Sequence, residues 1–71
     1  MLDPNDYDLS CDEWEHLIDQ YIFSERDRAI VKRKMLDKIT YEKVAEEFEL
    51  SVQRTKTIVG EAKIRLLQHL N

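Results

Sequence analysis

One glycine, one proline and one cysteine in 71 residues each exclude a class of protein. Turn-rich β folds need Gly and Pro at their tight turns, so a chain this poor in both does not read as one. A lone Cys11 forms no intramolecular disulfide and reads as a bland thiol in the first turn of a helix. The two histidines, His16 and His69, have no Cys or His partners at zinc-ligand spacing, so no metal site is expected. No apolar run reaches membrane length and no signal-peptide pattern is present, which predicts a cytoplasmic chain with no membrane partner. The length allows one helical core but no deep enzyme pocket. Glu42, Glu46 and Glu47 lack a His, Lys or nucleophile placed for acid–base work and read as a solvated face. An enzyme, a cofactor and a small-molecule substrate are therefore not expected.

What the chain does have is charge, at 37% of residues, together with abundant Glu, Lys, Leu and Ile. That composition favours helices. Residues 1–9 are acidic, hold Pro4, and read as a flexible leader; residues 10–71 read as one helical domain. Ser10 with Glu13 forms a capping box, and behind it Trp14, Leu17, Ile18, Tyr21 and Ile22 share one helical face. Ser24 with Asp27 opens a second helix that runs to about Leu36. A third spans residues 41–48 and a fourth runs from Val52 to about Leu70. The predicted fold is all-α, a three- to four-helix bundle without a wing.

The most informative stretch is residues 40–58. Thr40 and Ser51 are N-cap residues, each followed by a helical pattern: Tyr41, Val44, Ala45 and Phe48, then Val52, Thr55, Ile58 and Val59. Only Glu49 and Leu50 separate the two, with Leu50 as an apolar plug and Ala45 small where the helices must cross closely. This is the grammar of a helix-turn-helix, at about residues 40–59, whose second helix enters the DNA major groove.

From Phe23 to Leu67 the chain resembles region four, the C-terminal DNA-binding region, of bacterial sigma factors of the main family. The residues that carry the resemblance are Ser24-Glu25-Arg26-Asp27-Arg28-Ala29-Ile30-Val31, Tyr41-Glu42-Lys43-Val44-Ala45-Glu46-Glu47, Leu50-Ser51-Val52, and Lys56 to Leu66. Lys38 and Glu49 stand where the family usually has Gly, and Ser24 where it often has Pro. Ile58, Gly60 and Glu61 replace residues that are commonly basic or His. The resemblance implies promoter-like double-stranded DNA as partner, and RNA polymerase as a second partner. Phage regulators and response-regulator output domains use the same module. With no companion region to melt DNA, a small stand-alone regulator is expected, of bacterial, phage or mobile-element type.

The net charge of −4 fits a DNA binder only when resolved along the chain. Residues 1–20 carry seven acids and no base, whereas residues 51–71 carry four bases and one acid. Local field, not global charge, governs phosphate contact. At 100° per residue, Val52, Thr55, Ile58, Val59, Ala62, Leu66 and Leu70 form the core side of the fourth helix. Gln53, Thr57, Gly60 and Ile64 stand opposite, flanked by Arg54 and Arg65 on one edge and Lys56 and Lys63 on the other. The expected DNA-contacting residues are Ser51, Gln53, Arg54, Lys56, Thr57 and Lys63. Gln53 suits adenine, and Arg54 suits guanine or phosphate. The run Lys32-Arg33-Lys34 serves equally as a phosphate clamp or as a solvated face. A second function, a protein-interaction module that binds polymerase or another regulator with little DNA affinity, is favoured by the acidic first helix. A packaging-type DNA adaptor is the third.

Overall fold

The computed structural model describes residues 9–69. Among them are four helices and no strand: α1 (Cys11–Tyr21), α2 (Glu25–Met35), α3 (Tyr41–Glu47) and α4 (Val52–Gln68). Residues 1–8 of the expected leader and Leu70 of the expected core stripe lie outside the described residues. Leu9, placed by sequence in the leader, packs half-buried against the core.

Each helix starts where its hydroxyl cap predicts. Ser10, Ser24, Thr40 and Ser51 all adopt extended backbone and accept a hydrogen bond from the amide three residues on. At Ser10 the capping box is complete, since the Glu13 carboxylate accepts the Ser10 N–H in return. Four such caps each contribute about 1 kcal/mol.

The turns after α2 and α3 each place one residue in the left-handed region, Lys38 and Glu49, both at φ 56°. After α3 the chain closes in a Schellman arrangement: the Leu50 N–H donates to the Ala45 carbonyl at 2.9 Å, and the Glu49 N–H to Glu46 at 3.3 Å. Leu50 is thereby turned onto the core, and Ser51 follows at once as the cap of α4. The turn between α3 and α4 is thus as short as the sequence predicts.

The core has two clusters. Trp14, Ile18 and Ile22 of the α1 side meet Val31, Ala62 and Leu66. Ile30 meets Val44, Ile58 and Val59, with Ile39, Tyr41, Phe48 and Leu50 around them. The one buried polar side chain among the described residues, Thr55, donates its hydroxyl to the Ser51 carbonyl at 2.9 Å, so its burial leaves no orphan. No described helix is long and apolar enough to cross a membrane.

Glycine is absent where the backbone favours it and present where it does not. Glu49→Gly and Lys38→Gly each relieve a left-handed side-chain penalty and are expected to raise stability by about 0.5–1 kcal/mol. Gly60 lies inside α4 with nothing within 4 Å of an added Cβ. Gly60→Ala is expected to stabilise by a similar amount, about 0.5–1 kcal/mol. Thermal melts of the three variants check both statements; a lower Tm for Glu49→Gly would show that its unfolded-state entropy outweighs the relieved strain.

Candidate nucleic-acid interface

The basic run on α2 divides among three neighbours, because successive residues point 100° apart around a helix. Lys32 turns to α1, with Nζ 2.7 Å from Asp19 and 3.9 Å from Glu15. Arg33 turns to α3, where its guanidinium holds Glu47 through two hydrogen bonds of 2.6 and 3.0 Å, and also reaches Asp37 at 2.9 Å. These two cations are therefore engaged as braces between helices. Lys34 faces no carboxylate in any ion pair among the described residues; its Nζ lies over the Tyr41 ring, 4.6 Å from the centroid.

Lys56 of α4 approaches the same ring, at 5.8 Å from the centroid. Two ammonium groups from different helices thus approach Tyr41, the first residue of α3, with no acid paired to either among the described residues. A half-buried Tyr41 supports both through its ring quadrupole while its own body packs against the Val44 cluster. The helical pattern places Tyr41 on the apolar side of α3, and the run Lys32-Arg33-Lys34 leaves Lys34 open between phosphate clamp and solvated face. The 200° rotation between Lys32 and Lys34 is the signal that separates them.

The predicted residues of α4 fall as follows. Gln53, Arg54 and Lys56 are exposed, and Lys63 is half-buried two turns along from Lys56 on the same edge. Thr57 is half-buried and donates its hydroxyl to the Gln53 carbonyl at 3.1 Å, leaving only its lone pairs for a ligand. Ser51 uses its hydroxyl oxygen to cap the Arg54 N–H at 3.0 Å and keeps its proton. Lys34, Tyr41 and Lys56 come together; Lys63 stands apart from them along the helix. On the remaining flank Arg65 lies over the ring of Phe23, 6.0 Å from the centroid. Phe23 is 76% exposed and Ile64 is 53% exposed.

No protein-family model, no curated protein and no solved structure matches this chain.

The two braces titrate. The hydrogen bond from Arg33 holds the Glu47 carboxyl below its ordinary value of 4.5, and that from Lys32 holds Asp19 below 3.8. A folded value below the unfolded one contributes stability at higher pH that is lost as pH falls through the folded value. The Tm is therefore expected to be steady above about pH 5 and to fall below it. Arg33→Met, which removes one brace, is expected to show a lower Tm at pH 7 and a shallower acid decline. Parallel acid limbs in the two proteins would show that Arg33 and Glu47 contribute nothing at this pH.

Proposed function

We propose that this chain is a small sequence-specific DNA-binding regulator of transcription, built on a helix-turn-helix of α3, the turn at Glu49–Leu50 and α4. The proposal extends to the resemblance with region four of sigma factors and so to promoter-like double-stranded DNA. The observation that carries it is the approach of Lys34 and Lys56 to Tyr41, neither in an ion pair among the described residues, adjoining the exposed start of α4. Two ammoniums beside one ring, neither in an ion pair among the described residues, suit an external anion, and a phosphodiester supplies one.

In this reading the first two turns of α4 enter the major groove. Gln53 and Arg54 reach base edges, while Lys56 and Lys34 hold phosphates on the flanking strand. Ser51 offers its hydroxyl proton to a phosphate oxygen, Thr57 accepts at the groove wall, and Lys63 extends the cationic edge. The left-handed residues Lys38 and Glu49 support the reading, since they occupy the two positions where the resembled family usually has Gly. A second reading, a module that binds RNA polymerase or another regulator, is favoured by the exposure of Phe23 and Ile64.

The test is binding to a duplex selected from a random pool. Arg54→Ala with Lys56→Ala is expected to weaken binding by about 1–3 kcal/mol. Lys34→Ala is expected to lower the salt slope by about 1, whereas Lys32→Ala leaves it unchanged because that side chain faces α1. Unchanged affinity in the double variant, with its circular dichroism intact, removes α4 from recognition. Failure to select any duplex, together with capture of polymerase that Phe23→Ser abolishes, establishes the second reading instead.

A further inference from the structure

We propose that the outer face of α1 docks a cationic amphipathic helix from another protein. This surface is separate from the basic face, shares no residue with it, and does not depend on the DNA-binding reading.

The face is an open groove of about 440 Å³ lined by Leu9, Asp12, Glu13, His16 and Leu17. Leu9 and Leu17 are half-buried, leaning on the Trp14 cluster and leaving apolar surface to the groove. Asp12 and Glu13 supply acid beside that floor. Unlike Asp19 and Glu15, which face Lys32, neither meets a Lys or Arg in any ion pair among the described residues. Among the described residues the Glu13 carboxylate accepts only the backbone N–H of Ser10. Apolar floor and acidic surround together select an occupant that brings aliphatic anchors flanked by Lys or Arg, the pattern of a helix laid into a groove.

Charge argues against the alternatives. The chain's own leader carries Asp3, Asp6 and Asp8 and would add acid to acid. A second copy using the same face brings the same seven acids of residues 1–20 without a base. Nucleic acid is repelled outright.

The full chain, labelled with nitrogen-15, is titrated with a synthetic helical peptide of about 18 residues carrying Leu at i, i+3, i+4 and i+7 and Lys on both flanks. Amide shifts are expected at Leu9, Asp12, Glu13, His16 and Leu17, and not around Lys34, Tyr41 and Lys56. Asp12→Lys, an exposed change that leaves the fold intact, is expected to weaken binding about tenfold, as is Leu17→Ser. A control peptide with Gln for Leu is expected to bind at least about tenfold more weakly. Equal binding of that control, or undiminished affinity of Asp12→Lys, overturns the proposal by showing that charge alone or another surface holds the peptide. It is also overturned if Leu2→Ser with Tyr7→Ser tightens peptide binding about tenfold, which assigns the groove to the leader, or if sedimentation shows a dimer that Asp12→Lys dissolves.

Discussion

Five consecutive residues of α2 divide between α1 and α3, and the arrangement of the whole domain depends on that. Ile30 enters the cluster shared with α3, and Val31 the cluster shared with α1. Lys32 braces α1, Arg33 braces α3, and Lys34 reaches the ring at the start of α3. The rotation of 100° per residue makes this possible, because five positions sweep more than a full turn. α4 then closes both clusters at once, with Ile58 and Val59 in one and Ala62 and Leu66 in the other. Each buried Ile, Val or Leu contributes about 1.5–3 kcal/mol, so Ile58, Val59 and Leu66 together outweigh the exposed ion pairs, at about 0–1 kcal/mol each. The braces orient what the apolar contacts hold.

The helices were legible in the sequence because their signals are local. Four hydroxyl caps, two apolar stripes and the plug Leu50 announce starts, faces and turn length without reference to any tertiary contact. The core side of α4 follows from spacing alone: Thr55, Ile58, Val59, Ala62 and Leu66 are all buried. The candidate site was less legible, since it depends on which side chains from separate helices meet. Lys32, Arg33 and Lys34 look alike in one dimension and differ through distant partners: Lys32 has Asp19, 13 residues back, and Arg33 has Glu47, 14 residues on. Tyr41 shows the same limit from the other side. Its helical position predicts packing, which it has, but not the two ammoniums that approach it.

Phe23 and Ile64 are exposed for reasons the fold explains only in part. Phe23 falls between the end of α1 and the cap of α2, where Arg28 holds the Ile22 carbonyl at 3.1 Å and turns the chain. Its ring is left outside, with Arg65 above it. Ile64 simply stands on the side of α4 away from the buried stripe, and nothing in the structure explains its apolar character there.

The opposite directions of Lys32 and Lys34 have a consequence for motion in solution. The acids that face Lys32 lie on the far side of a helix from the ammonium at Tyr41, and a helix with its side chains is about 10 Å across. At physiological ionic strength the field of a charge decays over about 8 Å. A polyanion arriving at the Tyr41 side is therefore largely shielded from Asp19 and Glu15, whereas Glu42, the residue after Tyr41, stands exposed on the same helix. Ionic strength therefore sets how much of the chain's net negative charge is felt at the Tyr41 side.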